Sequence, residues 1–111
     1  MKDASTAEAD AVRAVFDRLA SRGRVPEAHD LAGSFQIDVD DVGRWYVIVD
    51  REHVRVSQQT VEPACAIGCS APDFVQMMEG RLNLLTGFLR GRIRVSGDLT
   101  LGEAFDRLIP V

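Results

Sequence analysis

What this sequence has little of limits its chemistry before anything it contains is considered. It holds two cysteines and two histidines among 111 residues. Cys65 and Cys69 stand four apart across an apolar stretch, and Cys-x-x-x-Cys without further partners is not a zinc pattern. They read as reduced, buried small hydrophobes, and neither a metal nor a cofactor is expected. His29 falls in a connector and His53 at a hairpin, each far in sequence from a cysteine and from the other. A Cys–His nucleophile would therefore need a long-range meeting.

No apolar run reaches the roughly 18 residues of a membrane span, and the start, MKDASTAEAD, is acidic where a signal peptide is basic. The final LIPV is not a peroxisomal address, so a cytoplasmic protein is expected. Basic charge is in deficit: 13 Lys and Arg against 17 Asp and Glu give a net charge of −4. A nucleic-acid partner is not expected of such a balance, because affinity for nucleic acid comes largely from neutralising phosphates. Glycine-rich phosphate loops, a Gly-x-Ser-x-Gly elbow, repeats and low-complexity runs are missing too. In DVDDVG the aspartates beside a glycine suggest a calcium loop, but Val49 stands where its twelfth-position Glu is required. The stretch reads as a polar hairpin turn. Catalysis is not expected.

What is present is a single core. With 46% hydrophobic and 27% charged residues, a chain of this length folds as one domain, residues 1–111, burying roughly two-thirds of its unfolded surface. The Ser5 to Glu8 spacing is a capping box. It opens a helix over about 5–22 that places Val12, Val15, Phe16 and Leu19 on one face, with Gly23 as its stop. One helical turn is expected after Pro26. From Gly33 the period changes to two: Phe35, Ile37 and Val39 alternate with Gln36, Asp38 and Asp40. Trp45, Val47 and Val49 share one face of the next strand while Tyr46 and Ile48 occupy the other. Val54 and Val56 point inward from a third strand, and Cys65, Ile67 and Cys69 from a fourth.

Ser70 caps a second helix, again with capping-box spacing to Asp73, whose stripe is Phe74, Met77 and Met78. Asn83 caps a short third helix with an expected buried face of Leu84, Leu85, Phe88 and Leu89. Ile93 and Val95 point inward from a fifth strand. Asp98 caps a last helix with the stripe Leu101, Ala104, Phe105 and Leu108. These elements imply an α/β (α+β) domain with helices on one face of a sheet, the other left to solvent or a partner. Two helices between strands four and five permit a crossover, so a parallel pair is expected there. Arg81, Arg90, Arg92 and Arg94 have no acidic residue between them. They either neutralise neighbouring carboxylates or dock on anionic lipid headgroups.

The order of signals in CAIGCSAPDFVQMMEGRLNLLTGFLRGRIRVSGDLTLGEAFDRL resembles the sterol carrier protein 2-like, or nonspecific lipid-transfer, domain family. The likeness rests on SAPDF after an apolar strand, MMEGRLN at a helix end, FLRGRIRVSGDL and the final amphipathic helix. It extends less distinctly upstream, covering about 31–109. The resemblance implies a five-stranded, mostly antiparallel sheet with helices on one face, enclosing an apolar tunnel for fatty acids, fatty acyl-CoA, sterol-like molecules or phospholipids. Its walls would be Phe35, Trp45, Val47, Ile67 and Ile93 from the sheet. The helices would add Phe74, Met77, Met78, Leu84, Leu85, Phe88, Leu89, Leu101, Phe105 and Leu108. The residues alone favour a filled core, and it is the resemblance that turns the reading toward a tunnel. The resemblance implies non-catalytic lipid binding or transfer, with the arginines near the tunnel mouth. The competing readings are an accessory module that partners a lipid- or quinone-pathway enzyme, or a homodimer through the open sheet face around Tyr46 and Ile48. An enzyme would need His53 or a cysteine in an unexpected pocket.

Overall fold

A computed structural model describes residues 5–109. Met1–Ala4 and Pro110–Val111, on which the targeting reading partly rests, lie outside the described residues.

The first helix forms as its capping signals require. In α1 (Thr6–Arg22) the Ser5 hydroxyl accepts from the Glu8 N–H at 3.1 Å, and the Glu8 carboxylate accepts from the Ser5 N–H at 3.4 Å. Val12, Val15, Phe16 and Leu19 are buried. A single 3-10 turn, Pro26–Ala28, follows.

The period-two segments become β1 (Ala32–Val39), β2 (Gly43–Asp50), β3 (His53–Ser57), β4 (Cys65–Cys69) and β5 (Ile93–Gly97), in the sheet order β3-β2-β1-β4-β5. β1 and β2 are antiparallel, with Phe35 opposite Val47 and Ile37 opposite Trp45. β2 and β3 are antiparallel as well. DVDDVG is the β1–β2 turn. Asp41 takes the left-handed conformation there, at φ 64°, which Asp tolerates better than most residues.

The parallel pair lies elsewhere than expected. β4 and β5 are antiparallel, the end of β4 at Cys69 facing the start of β5 at Ile93, and the parallel ladder joins β1 to β4 with Ile37 opposite Ile67. Two short helices make a there-and-back path, so the chain re-enters the sheet at the end where it left. The net traverse is made instead by residues 58–64, which run from the β3 edge to β4 past β2 and β1. Their anchors lie on the helix-free face: the Ser34 hydroxyl donates to the Glu62 carbonyl at 2.9 Å, and the Ala64 N–H donates to the Ser34 carbonyl at 3.0 Å. On that face Tyr46 is 2% exposed and Ile48 half-buried. The exposed Tyr46 contact foreseen for a homodimer is therefore corrected: the side chain is buried.

α2 (Ala71–Met78) is capped by Ser70, whose hydroxyl accepts from the Asp73 N–H at 3.2 Å. Only this half of the expected capping box forms, because the Asp73 carboxylate turns to Arg92, whose Nε donates to it at 2.9 Å. Asn83 Oδ1 accepts from the Thr86 N–H at 2.7 Å to cap α3 (Leu84–Leu89). Asp98 Oδ1 accepts from the Leu101 N–H at 3.0 Å to cap α4 (Leu99–Ala104), which runs into a 3-10 turn, Phe105–Arg107.

The buried face of α3 also differs from the expected one. Leu84 and Gly87 are buried, Leu85 and Phe88 are half-buried, and Leu89 is 74% exposed. The helix is seated through Gly87, where a side chain would run into Ile93 of β5. A face chosen by hydrophobicity alone is rotated away from that seat.

Candidate functional site

The two layers meet in one apolar cluster. The sheet contributes Phe35, Trp45, Val47, Ile67 and Ile93, and the helices Phe74, Met77, Leu84, Leu101, Phe105 and Leu108, all buried. Met78 packs against the margin of this cluster. Leu85 and Phe88 stand half-buried outside it and Leu89 is exposed to solvent, so the structure brings most of the expected wall residues together and leaves these three out.

α1, which is absent from the expected tunnel wall, also reaches this cluster. Phe16 stacks on Trp45 with ring centroids 4.3 Å apart and planes 8° from parallel, and its centroid is 5.5 Å from that of Phe74. Deeper in, Phe35 and Phe105 lie 5.4 Å apart. The helical period of α1 was the signal that could have placed Phe16 in the wall.

A hollow of about 260 Å³ opens where α2 ends, α3 begins and the chain leaves the last 3-10 turn. Met77, Leu82 and Ile109 form its apolar part, each at most 5% exposed, and Arg81, Asn83 and Asp106 its polar rim. Asp106 Oδ2 accepts from the Leu84 N–H at 3.1 Å, tying the first turn of α3 to the C-terminal turn. Burial pushes the Asp106 carboxyl above its ordinary range, against the pull of that hydrogen bond, and Glu103 adds to the rise. Asp106 was not foreseen from the sequence, where it reads as one more charge on a helix.

A second hollow, about 240 Å³, lies on the helix-free face among Gln36, Asp38, Gly68, Arg94 and Ser96. Ala66, Ile67 and Val95 complete its lining, and its charged side chains are tied up in ion pairs. Arg94 Nη2 donates to Asp40 at 2.8 Å, and Arg44 pairs with Asp38. Among the four arginines of the basic stretch, Arg81 pairs with Glu79, Arg92 with Asp73 and Arg94 with Asp40, so three neutralise nearby carboxylates. Arg90 forms no ion pair among the described residues and stands next to the exposed Leu89.

The two histidines do meet: His29 and His53 line one surface hollow of about 290 Å³ with Asp50, Arg51 and Glu52. No cysteine joins them there. Among the described residues no three His, Cys, Asp or Glu side chains are grouped so as to hold a metal ion.

Cys65 and Cys69 are free and buried. Four residues apart on one strand, their Cα atoms are ~13 Å from each other, beyond disulfide reach. Burial, with Asp98 nearby, pushes the Cys65 thiol up to about 11. Burial, with Asp73 and Asp40 nearby, pushes Cys69 up to about 12. Since the thiolate is the reactive form, iodoacetamide in mildly alkaline buffer is expected to leave both unlabelled in the folded protein and to label both in denaturant. Rapid labelling of either in the folded state would contradict the closed core around β4.

A family model described as the SCP-2 sterol transfer family matches residues 14–110. No curated protein matches the chain. Among solved structures, sterol carrier protein 2 like 2 of Aedes aegypti aligns with a TM-score of 0.68 at 21% identity, covering 90% of this chain and 97% of that one. A ubiquinone synthesis protein, UbiJ-SCP2, aligns with a TM-score of 0.63 at 13% identity, covering 90% of each chain. The sec-alkylsulfatase Pisa1 of Pseudomonas sp. aligns with a TM-score of 0.71 at 17% identity, over 86% of this chain and 16% of the enzyme. The chain thus spans a small part of that enzyme's length and nearly all of the insect protein's.

Proposed function

The chain belongs to the SCP-2 sterol transfer family, and from that premise we propose that it is a non-catalytic carrier that takes the apolar tail of a lipid between its sheet and its helices. The observation that supports this most is the seating of α3. It touches the core through Leu84 and Gly87 and presents Leu85, Phe88 and Leu89 to the seam or to solvent, so the wall is apolar on both sides. A wall of this kind can be displaced outward by a guest without burying a charge. Each methylene that leaves water contributes about 0.8 kcal/mol, which drives uptake of a fatty acyl chain, a sterol-like ring system or a phospholipid tail with little demand on polar contacts.

The proposed wall is the set of core residues named above, with Met78, Leu85, Phe88 and Leu89 joining it as α3 moves. Delivery would occur at an anionic membrane surface, met by Leu89 and by Arg90, the arginine of the basic stretch left without an ion pair among the described residues. Two buried, unpaired cysteines suit a reducing compartment, in keeping with a cytoplasmic carrier.

Phe88→Asp tests this reading. Phe88 is half-exposed, so the variant is expected to keep its thermal midpoint close to wild type while losing at least about tenfold, or roughly 1.4 kcal/mol, in affinity for a pyrene-labelled long-chain hydrocarbon. Wild-type protein that shows no pyrene emission change with this probe would end the carrier proposal. The likeness to UbiJ-SCP2 and to one segment of an alkylsulfatase supports a second reading, an accessory module that presents lipid to a partner enzyme. Retention of a wild-type partner complex by Phe88→Asp would favour that reading.

A further inference from the structure

We propose that the hollow between the end of α2, the cap of α3 and the C-terminal turn receives the head of the bound lipid, and that it selects an uncharged, hydrogen-bond-donating head, a hydroxyl, over a carboxylate or phosphate. This rests on the carrier reading above and adds the chemistry of the end that stays polar. At about 260 Å³ the hollow falls just short of the ~300 Å³ at which whole-ligand pockets begin, so it suits one end of a long molecule. Its apolar part is made by Met77, Leu82 and Ile109, all of which belong to the main core. A tail entering beside them meets the same core that Leu84 of α3 lines.

The rim decides which head is accepted. Its one cation, Arg81, is already paired with Glu79. Asn83 uses its side-chain oxygen to cap α3 through the Thr86 N–H. Asp106 is half-buried and shares one oxygen with the Leu84 N–H, and Glu103 lies close enough to raise its carboxyl further. An incoming anion would meet this carboxylate in a partly dry site with no unpaired cation on the rim to offset it, and like charges brought together out of water repel strongly. An alcohol meets an acceptor instead. A carboxylate oxygen takes a hydroxyl donor in a charge-assisted hydrogen bond, among the stronger kinds available to a neutral ligand. The amide N–H of Leu84 already occupies part of that acceptor and holds it aimed across the cap.

Asp106→Asn separates charge from architecture. The amide oxygen still accepts from the Leu84 N–H, and only the negative charge is removed. Binding of radiolabelled hexadecanol and palmitate would be measured by equilibrium dialysis at mildly alkaline pH, where palmitate is ionised, with circular dichroism and the thermal midpoint checked for each variant. In the wild type, hexadecanol is expected to bind at least about tenfold more tightly than palmitate, a gap of roughly 1.4 kcal/mol. Asp106→Asn is expected to close most of that gap, chiefly by strengthening palmitate binding. Should the variant unfold, Asp106→Ser, which removes the charge and leaves a short acceptor, is read in the same way. Palmitate binding as tightly as hexadecanol in the wild type, or an unchanged ratio in a folded variant, overturns the assignment of the head site and leaves the carrier reading standing. Failure of both lipids and of the pyrene-labelled hydrocarbon to bind overturns the two together.

Discussion

Replacing Phe16 by alanine is expected to destabilise the protein by about 3–5 kcal/mol. Phe16 is 1% exposed and lies against both Trp45 and Phe74, so one side chain joins α1 to the sheet and to α2. Its removal opens a cavity the size of a ring and forfeits two aromatic contacts, each worth about 0.5–1.5 kcal/mol beyond burial. The neighbours cannot refill the space cheaply, since Trp45 stands on a strand paired on both sides. A fall in thermal midpoint of the order of 10–20 °C follows for a domain of this size. Trp45 is the only tryptophan, so its emission is expected to move to longer wavelength as its stacked face becomes wetter. Urea unfolding of the two proteins, followed by that emission, measures both effects. A loss below about 1 kcal/mol would mean that α1 is not held where the structure puts it.

The second large effect is expected at Gly97, the last residue of β5. Its φ is +86°, a conformation that side chains rarely adopt, and a Cβ there would overlap the carbonyl oxygen of Ala64. That oxygen is backbone and is held in place, accepting from the Asp98 N–H at 2.9 Å. It has nowhere to go without breaking the β4–β5 ladder, where Gly97 faces Cys65. Gly97→Ala is therefore expected to cost about 2–4 kcal/mol, the left-handed strain adding to the displacement. The same denaturant titration checks it. A cost within about 0.5 kcal/mol of zero, the level of an ordinary surface change, would show that the end of β5 has more freedom than the structure gives it.

Much of this architecture was legible wherever the signal is local. The Ser5–Glu8 box, the alternation of Phe35, Ile37 and Val39, the polar DVDDVG turn and the caps at Ser70, Asn83 and Asp98 each depend on residues within one turn or one strand, and each is found where its pattern lies. What failed depended on partners far along the chain. The direction of β5 is set by where two helices return the backbone, which their own sequences do not state. The face of α3 was misjudged because Gly87 counts for nothing on a hydrophobicity scale and yet lets the helix approach Ile93. Tyr46 reads as an aromatic on an open sheet face, yet it is buried within the single chain. Asp106 belongs to the same class, since its hydrogen-bond partner Leu84 lies 22 residues away.

The two margins of the sheet are not equivalent, and this bears on how copies of the protein could assemble. Along β3 the start of the strand is already engaged: Arg24 bridges His53, the Val25 N–H donates to the Glu52 carbonyl and the Val54 N–H to the Gly23 carbonyl. β5 lies at the other margin. Unlimited growth by strand addition needs two vacant rims of complementary kind, one to give and one to receive. With the start of β3 engaged, only the last part of that short strand is left to receive another copy, so joining through β5 favours a closed pair over a fibre.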